Sequence, residues 1–167
     1  MDKLNWFDFE EAVEFLIQEF SKVWRQKKPT IFHSIRVWSL LFHNGFSIEI
    51  CIAGLLHDII EDTNITFEIM EEKYWNYIAN LVLASTENDE LLKELQKEDI
   101  VKRCNDLSEE ALIIKMSDVY DNFIFYKRDN NFPEIERCKI FAELIKKYRK
   151  KEYKNKFLNL ADEIIKF

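Results

Sequence analysis

The chain has 167 residues, 47% hydrophobic, 33% charged and 14% aromatic. That is too apolar for a disordered polypeptide and long enough to bury a core without disulfides or structural metal. With 2 Gly and 2 Pro in its whole length it has no Gly-rich phosphate loop, which excludes P-loop and Rossmann sites. Its net charge of −7 argues against a general nucleic-acid binder, whose affinity comes from lysine and arginine meeting phosphates, and leaves a small ligand open.

The apolar spacing reads helical nearly everywhere and predicts an all-α fold. A first amphipathic helix covers about 8 to 25, with Phe9, Ala12, Val13, Leu16, Ile17, Phe20 and Val23 three and four apart. Pro29 and Thr30 interrupt it and open a second helix over about 31 to 43, ended by Asn44-Gly45 as a left-handed C-cap. Ser47 starts a third, about 48 to 61, apolar almost all round and so expected at the centre. Thr66 opens a short helix through Met70, and Trp75 to Leu83 reads as another. Residues 88 to 104 are charged and weakly amphipathic, a helix expected on the surface. Ser108-Glu109-Glu110 begins a strong helix to about Tyr126, and Pro133 begins the last two, broken near 151. The run KKYRKKEYKNK, 146 to 156, reads as a solvated helical face or a basic surface near an anionic ligand.

Cys51, Cys104 and Cys138 are three, odd and widely spaced, which fits reduced thiols rather than a disulfide framework or zinc site. The N-terminus MDKLNWFDFEEAVEF is acidic and does not read as a signal peptide, and no apolar run reaches membrane-spanning length. One cytoplasmic domain over 1–167 with no membrane partner is therefore expected, its oligomeric state open.

Chemistry concentrates in GLLHDIIEDT, residues 54 to 63. On one continuous helix, His57 and Glu61 lie one turn apart, as do Asp58 and Asp62, so four polar side chains would share a patch at the end of a buried helix. A buried unpaired carboxylate costs several kcal/mol, so something cationic should meet Asp58. His33 in IFHSIRVWSLL and Asp118 in ALIIKMSDVYDNFIFY are similarly polar on apolar faces. Taken singly, each has an ordinary structural reading, His33 as a satisfied core histidine and Asp118 as an ion-pair partner of Lys115. Together, imidazoles and carboxylates aimed into one core are ligands for a divalent metal of intermediate hardness such as manganese, iron or zinc.

The order H, then HD, then D on successive helices resembles the HD-domain metal-dependent phosphohydrolases, and among them the (p)ppGpp hydrolases of the RelA/SpoT type, including the small stand-alone ones. The resemblance runs from about Arg25 to Phe125, with a motif core of about 25–126 followed by C-terminal helices at 133–166. LLHDIIEDT looks like the LLHDvvEDT of those hydrolases, and IIKMSDVYDN is similar to their LIKLADRLHN, with the aspartate and the asparagine retained. It implies an HD-domain-like multi-helix bundle with a central metal site. His33, His57, Asp58 and Asp118 would bind the metal, usually manganese, with iron, zinc or magnesium as alternatives. Glu61 and Asp62 would position or activate the attacking water, and Asn122 would help hold the substrate or the site. Arg25 becomes a guanine-stacking candidate. The chain departs from the pattern at Thr30, where tyrosine is expected, and at Val119 and Asp121, which replace Arg and His.

A metal that neutralises a phosphate oxygen and lowers the pKa of bound water suits phosphoester hydrolysis, with Glu61, expected to be buried, as proton acceptor. Lys115, Arg36, Lys27, Lys28 and Lys127 are candidates for the remaining phosphates. The implied function is removal of pyrophosphate from the 3′ position of ppGpp. A second reading keeps the metal and changes the substrate to another nucleotide. A third makes the chain a nucleotide-sensing or interaction module with a structural metal, for which the Glu61-Asp62 pair would have no use.

Overall fold

A computed structural model describes residues 5–23 and 29–167, and among them helices joined by turns account for all regular structure. The chain divides into two units, Met1–Thr86 and Glu87–Phe167.

In the first unit, α1 (Trp6–Ser21) begins at Asn5, whose side chain accepts from the Phe7 N–H at 2.8 Å while Asp8 accepts from the Asn5 N–H at 2.5 Å. This capping box satisfies two donors that the helix start leaves open, and it moves the start two residues ahead of the expected one. Ala12, Leu16 and Phe20 form its buried face. Beside it, Phe9 stacks on Trp38 of α2 (Thr30–His43) with ring centroids 4.5 Å apart. Asn44-Gly45 ends α2 as expected. Gly45 takes φ +76°, its N–H bonds the Phe42 carbonyl, and the Phe46 N–H reaches back to the Leu41 carbonyl, the Schellman pattern that glycine enters without steric cost.

Helix α3 (Ile48–Leu55) is buried continuously from Ile50 to Leu55. It meets α2 at Gly54, where a Cβ would stand 2.2 Å from Leu41 Cδ1, so the close approach depends on the missing side chain. Helix α3 was expected to run to residue 61; it stops at Leu55, and a separate short turn, α4 (Ile59–Asp62), follows. Helix α5 (Phe67–Ser85) starts at Thr66, whose hydroxyl accepts from the Ile69 N–H. It is interrupted at Trp75 (φ 64°, ψ 162°), the residue at which the second helical stretch was read to begin. A non-glycine residue holds such a conformation at a cost of about 1–3 kcal/mol.

The second unit comprises α6 (Lys93–Leu107), α7 (Glu109–Arg128), α8 (Phe132–Tyr148), a 3-10 turn (Lys156–Asn159) and α9 (Leu160–Lys166). Helix α6 starts later than expected and is less superficial than its charge suggests, burying Gln96, Ile100, Val101, Cys104 and Asn105. Helix α7 carries the core, with Leu112, Ile114 and Met116 fully buried. Its first turn is capped by Ser108, whose hydroxyl accepts from the Ala111 N–H at 3.1 Å. Ser108→Ala is expected to cost about 0.5–2 kcal/mol of unfolding free energy, read from a shift in urea midpoint at unchanged slope.

The basic run at 146–156 is α-helical to Tyr148 and meets the 3-10 turn only at Lys156. Beyond Tyr148 the Arg149 guanidinium donates to the Tyr153 and Asn155 carbonyls and to Asn159 Oδ1, fixing a loop where a helical face was expected. Cys51, Cys104 and Cys138 are buried free thiols, and burial, with the Glu49 carboxylate, pushes Cys51 up to about 11. Among the described residues no helix is long and apolar enough to cross a membrane.

Candidate metal centre

The break between α3 and α4 builds the site. In an uninterrupted helix the Gly54 carbonyl would accept the Asp58 N–H. Here it accepts from the His57 ring, Nδ1 to O 2.9 Å, and the chain tightens so that the Ile59 N–H bonds the Leu56 carbonyl. The Asp62 N–H then bonds the Asp58 carbonyl and the Thr63 hydroxyl donates to the Ile59 carbonyl, closing α4. His57 and Asp58 thus stand on a turn rather than on the continuous helix expected.

That bond also sets the tautomer of His57. A carbonyl oxygen can only accept, so Nδ1 carries the ring proton and Nε2 presents a lone pair. Nε2 of His57 lies 3.2 Å from Nε2 of His33, on the buried face of α2, with the rings inclined at 73°. Asp58 completes the group, Oδ1 3.0 Å from His57 Nε2 and Oδ2 3.8 Å from His33 Nε2. All three ligand atoms fall within 4.8 Å of one another. Both imidazoles are buried, whereas the Asp58 side chain keeps 18% exposure, which leaves the group a solvent side. Two imidazole nitrogens and a carboxylate oxygen, aimed at a common point, fit a divalent ion of intermediate hardness.

Glu61 and Asp62 sit on α4, Asp62 half-buried and Glu61 exposed, against the burial expected for Glu61. Asp118 is buried on α7, where its Oδ2 accepts from Lys115 Nζ at 2.9 Å and its Oδ1 from Asn122 Nδ2 at 2.6 Å. Lys115 is itself 7% exposed. Of the other cations singled out, Arg36 is exposed on α2, and Lys127 lies 4.3 Å from the Phe167 ring centroid. Arg25, Lys27 and Lys28 lie outside the described residues. Two clusters therefore emerge, His33 with His57 and Asp58 in the first unit, and Lys115 with Asp118 and Asn122 in the second. Sequence reasoning missed Gly54, whose carbonyl orients His57; its one signal was a glycine inside an otherwise apolar run.

No protein-family model matches the chain. It is 31% identical over 123 residues to the guanosine-3′,5′-bis(diphosphate) 3′-pyrophosphohydrolase MESH1 of Xenopus tropicalis, covering 71% of this chain and 69% of that protein. It is 34% identical over 92 residues to the MESH1 enzyme of Danio rerio, about half of that protein (51%). With the guanosine-3′,5′-bis(diphosphate) 3′-pyrophosphohydrolase of Aquifex aeolicus it shares 31% identity over 145 residues, 84% of this chain and 20% of that longer one. The fold is similar to a solved structure described as a metazoan ortholog of SpoT that hydrolyses ppGpp, with TM-score 0.77 and 21% identity over 99% of this chain and 97% of that one. A Listeria monocytogenes structure is similar at TM-score 0.69 and 24% identity, covering 80% of this chain and 91% of that one. The chain belongs to the HD-type guanosine-3′,5′-bis(diphosphate) 3′-pyrophosphohydrolase family.

Proposed function

We propose that the chain is a cytoplasmic, metal-dependent phosphohydrolase that converts ppGpp to GDP and pyrophosphate. The observation that carries this reading is the convergence of His33 Nε2, His57 Nε2 and an Asp58 oxygen within 4.8 Å, in a member of this family. His33, His57 and Asp58 would hold a divalent ion, manganese in this proposal, and the sequence motif adds Asp118 as a further ligand. Such an ion neutralises charge on a phosphate oxygen and brings the pKa of bound water toward neutrality.

The residues of the chain supply the rest. His57, with its proton parked on Nδ1 against the Gly54 carbonyl, offers Nε2 without having to release a proton first. Glu61, one short turn beyond Asp58 and open to solvent, accepts the proton of the attacking water, and Asp62 orients that water. The water oxygen bonds to the phosphorus carried on the 3′ oxygen. The bond from that phosphorus to the 3′ oxygen breaks, and the 3′ oxygen takes a proton to become the free hydroxyl of GDP. Arg25 is proposed to stack on the guanine, and Asn122 to support the site through Asp118.

A second reading, hydrolysis of another nucleotide at the same centre, is favoured by the departure of the sequence from the hydrolase pattern around Arg25 and Thr30, and Asp121, a further departure, is a buried carboxylate on α7. One assay separates the two. Manganese-loaded protein is offered ppGpp, AMP, dAMP and cyclic AMP, and products are separated by ion-exchange chromatography. GDP and pyrophosphate forming far faster than any product of the other three is the expected result. Orthophosphate from the monophosphates with ppGpp intact would transfer the chain to the second reading.

A further inference from the structure

Lys115 was a candidate for meeting substrate phosphate, but its surroundings fit a different task. Its Nζ lies 2.9 Å from Asp118 Oδ2, one turn along α7, and 4.8 Å from the centroid of the Phe141 ring on α8. Lysine and aspartate are both buried, at 7% exposure each. The other oxygen of Asp118 accepts from Asn122 Nδ2 at 2.6 Å, so both oxygens are held by donors from the same helix. A carboxylate has about four lone-pair positions and can accept from several donors at once.

We propose that Lys115 is a positioning residue, which fixes the Asp118 carboxylate for metal ligation and does not contact substrate phosphate. A buried ammonium needs a charged partner, and the Asp118 carboxylate supplies one at 2.9 Å. The Phe141 ring of α8 adds a cation–π contact that restrains the ammonium further. Hydrogen bonds to a ligating carboxylate fix its orientation, and losing one typically weakens metal binding by about 10- to 100-fold. The inference rests on the proposal that Asp118 is a ligand, and the test distinguishes failure of the two.

Chelator-treated protein is titrated calorimetrically with Mn²⁺ as wild type, Lys115→Met and Asp118→Asn, and the KM for ppGpp is measured at saturating Mn²⁺. Methionine keeps the aliphatic stem beside Phe141 and removes the charge. The expected result is a Mn²⁺ Kd raised about 10- to 100-fold in Lys115→Met with the KM at its wild-type value. An unchanged Kd with a raised KM makes Lys115 a phosphate contact and overturns the inference. Wild-type Mn²⁺ affinity in Asp118→Asn instead removes Asp118 from the ligand set, and the inference falls with it. If Lys115→Met does not fold, Lys115→Gln retains a donor for Asp118. It is expected to raise the Kd by a smaller factor, and an unchanged Kd there is equally contrary.

Discussion

His57→Ala is expected to abolish the response of the protein to divalent metal. The imidazole is 1% exposed, its Nδ1 is bonded to the Gly54 carbonyl, and its Nε2 stands 3.2 Å from His33 Nε2 and 3.0 Å from Asp58 Oδ1. Removing it takes away the central member of the group. A bound ion stabilises the native state by mass action, about 2.7 kcal/mol when the free ion stands at a hundredfold its Kd. For a chain of this size that corresponds to a rise of roughly 5–11 °C in Tm. Wild type should show this rise when Mn²⁺ is added to chelator-treated protein, and His57→Ala should show none. The variant should also melt below wild type in chelator, because the loss of a buried side chain leaves a cavity and frees the Gly54 carbonyl. A Mn²⁺-dependent rise that survives in His57→Ala would mean that the ion binds elsewhere.

Glu61→Gln should act on turnover alone. The side chain is exposed on α4, so an isosteric amide leaves the fold and the Tm in place. As the acceptor of the water's proton, its loss should lower kcat by about 10²- to 10⁴-fold while the metal content of the purified protein stays at the wild-type level. A variant that loses metal would make Glu61 a ligand. The exposure of Glu61 also shifts the account of its basicity. Burial had been expected to tune this carboxylate, whereas Glu61 is exposed on α4, so desolvation does not supply the tuning.

The helices were legible because their cause is local. Apolar residues three and four apart located α1, α2 and α7, and capping chemistry marked the starts of α5 at Thr66 and α7 at Ser108 and the end of α2 at Asn44-Gly45, where side chain or glycine satisfies the open backbone groups. The break at Leu56 was not legible. Ile59 and Ile60 continue the apolar pattern past His57, and nothing in their spacing reveals that the His57 ring takes the carbonyl an α-helix would have used. The same bond places His57 and Asp58 on a turn, whereas the sequence reading put them on one continuous helix. His33, His57 and Asp58 drew attention as polar groups in apolar surroundings, which is a statement about burial and survives a change of local backbone. The pairing of Lys115 with Asp118 was legible from their spacing, whereas the burial of Lys115 was not. Lysines on helices are mostly solvated, and only the buried contact with Asp118 and the ring of Phe141 reveals this one as internal. In the basic run at 146–156 the break expected near 151 is present, but nothing in the sequence shows that Arg149 turns back to bond the carbonyls following it.

The most direct test of the central claim is an anomalous difference map from crystals grown in Mn²⁺ and measured at a wavelength where manganese scatters anomalously. One peak is expected within bonding distance of His33 Nε2, His57 Nε2 and a carboxylate oxygen of Asp58, with the His57 Nδ1 bond to the Gly54 carbonyl intact. Saturating Mn²⁺ that leaves the two Nε2 atoms hydrogen-bonded to each other with no peak beside them, or a full-strength peak elsewhere in the chain, would contradict it.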